Sequence, residues 1–303
     1  MRNGVSGFSN RLPSGTLRAM KLLKFLIVLG LAAAIFGTAG YFAYLLYYKP
    51  AKVEQAQAKA AAEAPPPTPP PDYSIPAFEK ALALQKAGKL IEARDAMLNF
   101  IAQYPQSTKL ADAKAAVGEI NMDFVFTSGP GPDKADYTVV AGDSLIKVAL
   151  KTKSNAELIL RSNNLASIDL SIGQQLRIPQ LETTLVLDRQ AKTLSLMNKG
   201  QLFKEYPLLA MDLPGAKGKE PVTTTVKDKI AIKGAERAAF GSRDYVGSER
   251  WLMLAQPNLV IRGRPDVDAN GQPAPMPSGI VVSQEDIEEI FPLVSRGTSV
   301  TIQ

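Results

Sequence analysis

Two residue types that carry much of enzyme chemistry are missing from this 303-residue chain: it has no cysteine and no histidine. Without a thiol there is no thiolate nucleophile, no disulfide and no sulfur ligand for a metal. Without an imidazole the commonest general base and transition-metal ligand is also gone. Serine, carboxylate and lysine chemistry remain. Ser278 precedes Asp286, but a serine nucleophile needs an activating base, and no Ser-x-x-Lys pattern lies near it. Glu285, Asp286, Glu288 and Glu289 cluster in a stretch of helical character, where they read as a solvated face that favours the helix N-terminus. Asp266, Asp268 and Asn270 share the alternation of a calcium loop, yet its second half and closing Glu are absent, and a turn accounts for them. These residue types predict no metal site and no cofactor.

Recognition of a neutral polar ligand needs no titrating group, and one stretch has the spacing for it. It reads Tyr137-x-Val139-x-x-Gly142-Asp143-Ser144-Leu145, then Val148-Ala149, Leu158, Asn163 and Leu165, and closes with Ile172-Gly173-Gln174-x-Leu176-x-Ile178-Pro179. Tyr137–Val140 reads as a strand and Gly142-Asp143 as a tight turn. Asp143 or Ser144 then supplies the N-cap of a helix through about Lys151. A second helix runs from Ala156 to about Ser162, Asn163-Asn164 ends it, and Gln175–Ile178 is a return strand. In order and spacing, 137–180 resembles a LysM domain, a small module that grips N-acetylglucosamine-containing glycans such as peptidoglycan. The resemblance implies two helices on a two-stranded sheet, with sugar in a shallow groove between the loop after the first strand and the loop before the last. By position the groove residues are Gly142, Asp143, Ser144 and Leu145, with Leu165, Ala166, Ser167, Ile168, Asp169 and Leu170 opposite.

Beyond 181 the pattern changes to short alternating segments. Thr184–Leu187, Thr193–Met197 and Leu202–Leu208 are separated by Asp188-Arg189-Gln190 and Asn198-Lys199-Gly200, a β-meander signature. Val222–Val226, Ile230–Ile232, Trp251–Ala255 and Leu259–Arg262 follow, then a helix over Ser283–Ile290 and a closing strand in Gly297–Ile302. This arrangement over 181–303 is similar to the catalytic domain of L,D-transpeptidases, which cross-link peptidoglycan stems through a Cys acyl-enzyme. Aligned on Val282-Ser283, the family's Ser-His-Gly-Cys-x-Arg run falls on Met276, Pro277, Ser278, Gly279 and Val281, so the catalytic His position is Pro277, the nucleophile is Gly279 and the Arg is Val281. The family's upstream His-Gly becomes Arg262-Gly263. Every catalytic position is thus replaced, and the resemblance implies a transpeptidase-like fold without its chemistry.

The elements ahead of these domains say where they work. Residues 1–24 form a basic leader holding Arg2, Arg11, Arg18, Lys21 and Lys24, which supply nearly all of the net charge of +6. A charge confined to a leader is not the basic face that nucleic acid requires, so no nucleic-acid partner is expected. Residues 25–48 are an uncharged run, about 36 Å long as a helix, with an interfacial Tyr41, Tyr44, Tyr47 and Tyr48. It predicts one transmembrane helix ended by Lys49-Pro50, with a cytoplasmic N-terminus. Residues 49–75 read as a linker, Ala/Gln/Lys/Glu-rich and partly helical through Ala64 and then a polyproline II spacer over Pro65–Pro71. Over 76–126 the period turns helical. Ala81, Gly88, Ala93 and Pro105 sit where a tetratricopeptide repeat places them, so the hairpin resembles one such repeat, capped by a third helix and suited to a protein partner or to self-association.

The expectation is therefore a multidomain α+β chain: a transmembrane helix, a helical hairpin, a small βααβ LysM module and a mostly-β L,D-transpeptidase-like domain. Its expected site is the inner (cytoplasmic) membrane, with the bulk in the periplasm or extracellular wall space of a bacterium. Its expected function is noncatalytic peptidoglycan binding, tethering or scaffolding at the wall. The alternatives are a wall-modifying enzyme with an unrecognised active site and a protein-interaction scaffold.

Overall fold

The apolar run that begins at Phe25 sits in a helix longer than the run itself. The computed structural model describes residues 14–63, 72–214, 220–255, 259–264 and 278–303. Helix α1 (Ser14–Ala43) passes through a π-helical turn, Tyr44–Tyr48, into α2 (Lys49–Glu63). Lys49-Pro50 therefore does not end the helix. Proline cannot donate to the carbonyl four residues back and crowds it, and the wider turn just before Pro50 accommodates this. The segment Leu22–Gln55 is long and apolar enough to cross a membrane by length and composition. The expected polyproline spacer lies outside the described residues, as does most of the basic leader.

Residues 71–303 form a separate compact unit. It opens with α3 (Ile75–Lys86), α4 (Leu90–Gln103) and α5 (Leu110–Phe126). Pro76 suits the first turn of α3, where no N–H is needed. Asp72 ties the start of α3 to the α4–α5 turn, accepting from the N–H groups of Ser74 and Thr108 at 2.9 Å each. Phe78, Ala81, Met97, Phe100, Ala113 and Val117 form the helical core. The third helix does more than cap the hairpin. From α5, buried Asn121 donates to the Phe203 carbonyl at 2.8 Å, Lys114 pairs with Glu205 at 2.8 Å, and Val125 joins the core of the C-terminal sheet.

The module that follows is β1 (Lys134–Thr138), α6 (Leu145–Lys151), α7 (Ala156–Ser162) and β2 (Gln175–Pro179). The two strands are antiparallel, with Thr138 opposite Gln175. Val139, Leu145, Val148, Ala149, Ile159, Leu176 and Ile178 fill the space between helices and sheet.

The C-terminal domain contains β3 (Thr183–Asp188), β4 (Thr193–Asn198), β5 (Gln201–Pro207), β6 (Ala210–Met211), β7 (Val222–Lys233), β8 (Glu236–Arg237), β9 (Glu249–Leu254), β10 (Val260–Arg262), β11 (Gly279–Val281), α8 (Gln284–Leu293) and β12 (Ser299–Ile302). The sheet order is β5-β4-β3-β12-β7-β9-β10-β11-β6, with β8 on β7. The β3–β12 and β10–β11 pairs are parallel and the others antiparallel. Lys199 and Gly200 both take positive φ, 51° and 79°, as the tight hairpin joining β4 to β5 demands. The segments expected as two strands, Val222–Val226 and Ile230–Ile232, are one strand whose register slips between Val226 and Asp228. Helix α8, capped by the Ser283 hydroxyl on the Asp286 N–H at 3.0 Å, buries Ile287, Ile290 and Phe291 against Leu185, Leu252 and Val300.

Candidate functional site

Antiparallel pairing of β1 with β2 brings the two candidate groove loops to one end of the small sheet. Just past the strand, the Val139 N–H donates to the Gln174 carbonyl at 2.9 Å, and the Gly173 N–H donates to the Val139 carbonyl at 2.8 Å. The first loop turns at Gly142, whose φ of +84° favours glycine and beside which nothing stands within 4 Å of a Cβ. Ser144 is the N-cap of α6, accepting from the Lys147 N–H at 3.4 Å, and Lys147 Nζ returns to the Gly142 carbonyl at 2.9 Å.

Asp143 holds this loop and faces inward. Lys151 Nζ donates to it at 2.5 Å, the Val140 N–H at 3.0 Å and the Tyr137 hydroxyl at 2.8 Å. Its side chain is only 1% exposed. Those donors, Lys151 foremost, hold the carboxyl down at about 2. Two of the expected groove positions, Asp143 and Leu145, turn their side chains inward. Asp143 has its oxygens committed, and Leu145, 1% exposed, is a core residue.

The second loop is pinned by Asn163, which accepts from the Arg177 N–H at 2.7 Å and donates to the Arg177 carbonyl at 2.8 Å. Leu165 and Leu170 pack against the module's core. Ala166, Ser167, Ile168 and Asp169 are exposed, with Ser167 Oγ accepting from the Asp169 N–H at 3.2 Å. Gly142, Ser144 and these four therefore present the open polar and apolar surface. Backbone groups and short side chains of this kind can bind hydroxyl and acetamido groups without ionising.

Of the positions carried over from the transpeptidase pattern, Arg262, Ser278, Gly279 and Val281 are among the described residues. Gly279 opens β11 beside Val260, where an added Cβ would lie 2.0 Å from the Val260 carbonyl oxygen. That backbone contact leaves no room for a side chain. Arg262 closes β10 and is 6% exposed, with Nε and Nη1 lacking a hydrogen-bond partner among the described residues; burial lowers its pKa while Glu249 opposes the shift. Val281 is buried opposite Arg262 in the ladder. Met276, Pro277, Asp266, Asp268 and Asn270 lie outside the described residues. The acidic run on α8 is also not wholly a solvated face: Glu288 pairs with Arg250 at 3.3 Å, and Glu289 pairs with Lys204.

Sequence reasoning did not single out the residues that join the module to the C-terminal domain. Glu157 of α7 is 7% exposed and accepts from the Tyr245 hydroxyl. Arg250, 4% exposed, lies 3.8 Å from Glu157 and stacks 3.9 Å from the centroid of Tyr245. Burial, then the Glu157 charge, raises the Tyr245 pKa. Lys229 donates to the Val294 carbonyl at 2.6 Å and to the Phe291 carbonyl. No local motif marks these residues, because each acquires its role only through chain crossings.

Residues 137–179 match the family model described as LysM domain. No curated protein matches the chain. Among solved structures the chain is similar to an L,D-transpeptidase from Mycobacterium smegmatis, at 14% identity and a TM-score of 0.28, over 44% of this chain and 64% of that one. It is also similar to L,D-transpeptidase 1 from Mycobacterium tuberculosis, at 9% identity and a TM-score of 0.27, over 43% of this chain and 66% of that one. The catalytic domain of the E. faecium L,D-transpeptidase acylated by ertapenem gives 13% identity and a TM-score of 0.26, over 41% of this chain and 98% of that one. The chain spans just under two thirds of the two mycobacterial proteins, and the sequence match fixes the LysM module alone at 137–179.

Proposed function

We propose that this protein binds peptidoglycan without chemically altering it, as a wall-facing tether or scaffold held in the inner membrane by its N-terminal helix. The observation that carries the reading is the LysM match over 137–179, with Gly142, Ser144 and Ala166–Asp169 exposed in its two loops. Three features support the rest. The chain has no cysteine or histidine. The position carried over for the nucleophile has no space for a side chain. The segment Leu22–Gln55 has the length and composition of a span, and the basic leader before it favours a cytoplasmic N-terminus.

The test is co-sedimentation of the detergent-solubilised full chain with purified sacculi. Wild type and Gly142→Ala should pellet, whereas Gly142→Arg should stay in solution. Both variants carry the same positive-φ cost, so their difference reports bulk in the groove. The muropeptide profile of the incubated sacculi should be unchanged. Wild-type protein left in the supernatant would overturn the binding reading, and new muropeptides would overturn the noncatalytic one.

A further inference from the structure

A cavity of about 420 Å³ lies between the module and the C-terminal domain. Ile146, Leu150 and Asn155 line it from one side, and Lys229, Phe240 and Tyr245 from the other. It adjoins the candidate groove at two points. Ile146 follows directly on the first groove loop, and Gly241, next to Phe240, stands against the second. A Cβ on Gly241 would come 2.8 Å from Ile168 Cδ1. Phe240 itself packs against the module's core and meets Tyr245 edge-on, with ring centroids 5.3 Å apart. Asn155 uses Oδ1 to cap α7, accepting from Glu157 and Leu158 at 2.9 and 3.4 Å, and its amide N–H groups have no partner among the described residues.

We propose that this cavity is an added saccharide subsite continuous with the groove, so that an N-acetylhexosamine chain is gripped by the module and the C-terminal domain together. The inference rests on the glycan-binding reading above. Phe240 gives one pyranose face an aromatic platform, and the Asn155 amide donates to a hydroxyl or acetamido oxygen. A concave site of this volume, mainly apolar with a few convergent polar groups, has the make-up of a small-ligand site. Gly241 is what lets the C-terminal loop come this close to Ile168.

The consequence is a dependence on glycan length. Calorimetric titration of the full chain in detergent with chitotriose and chitohexaose should show the hexamer binding roughly tenfold tighter to wild type. Phe240→Ala removes the platform, and Ala238→Trp fills the cavity from the same, C-terminal-domain wall. Each should cut the hexamer's advantage over the trimer, measured on the same variant, to about twofold, the residue of extra binding registers. Retention of the full advantage by both folded variants would overturn the subsite alone. Failure of wild type to bind either sugar, or trimer binding untouched by Gly142→Arg, would overturn the groove reading and the subsite with it.

Discussion

Lys229 lies in the middle of β7 with its ammonium carried into the interior. Burial drives its pKa from 10.5 down to about 7, the nearby Glu157 opposing the shift and Arg250 and Arg296 adding to it. A neutral amine has two N–H groups, and two carbonyls at the end of α8, those of Phe291 and Val294, accept them. Because the folded pKa is depressed, between about pH 7 and 10.5 the unfolded chain holds a proton that the folded chain has lost. Stability therefore rises with pH across that window, by up to ~1.4 kcal/mol per pH unit, and stays flat in this respect below it. Urea titrations at pH 7, 8 and 9 should show the midpoint climbing for wild type and a weaker climb for Lys229→Met. An identical pH slope in the variant would mean that Lys229 stays charged in the fold.

At the scale of elements, two glycines with positive φ separate backbone strain from contact. Gly88, at φ +74° between α3 and α4, has open space around it, whereas Gly241, at φ +89°, faces Ile168 across the domain boundary. Gly88→Ala should cost about 1 kcal/mol, the strain alone. Gly241→Val should cost more, about 2–4 kcal/mol, because a crowded contact is added. Thermal unfolding of the two variants side by side measures the difference, and equal shifts would show that the Ile168 contact yields freely. The same contrast explains what could be read in the sequence. The LysM module was legible because its caps and turns are local: Ser144 and Asn155 each cap the helix that follows them, and Asn163 ends one. The long strand β7 was not, since Lys227-Asp228-Lys229 interrupts its apolar alternation. Distant partners help make those charges tolerable: Arg296 for Asp228, and the end of α8 for Lys229. The groove loops were carried over from the LysM resemblance, and the inward turn of Asp143 depends on Tyr137 and Lys151, several residues away on either side.

For the unit spanning 71–303 as a whole, the central question is whether its parts fold as one. Helix α5 inserts Asn121 and Val125 into the C-terminal domain, and α7 of the module meets α8, with Arg161 donating to the Glu288 carbonyl at 2.6 Å. Between them sits Arg250, 4% exposed, bonded to Ser248 at 2.6 Å and to Glu288 at 3.3 Å, stacked on Tyr245, and near the buried Glu157. Deleting one member of a buried charged cluster costs more than the cluster's net worth, because the partner is left desolvated and alone. Arg250→Ala should therefore destabilise by about 3–5 kcal/mol. Since Glu157 belongs to the module and Arg250 to the sheet, the loss should fall on their junction. Wild type should show uniform hydrogen-exchange protection across α7, β9 and α8, the mark of one cooperative unit. In Arg250→Ala, protection should drop first in α6 and α7 while β3, β4 and β12 keep theirs. The exposed Arg296, paired with Asp228, is the matched control, and Arg296→Ala should shift stability by less than about 1 kcal/mol. An even loss of protection throughout the Arg250 variant would mean that the module and sheet are coupled elsewhere. Loss confined to the module would make Arg250 the tie that holds both walls of the interdomain cavity in register.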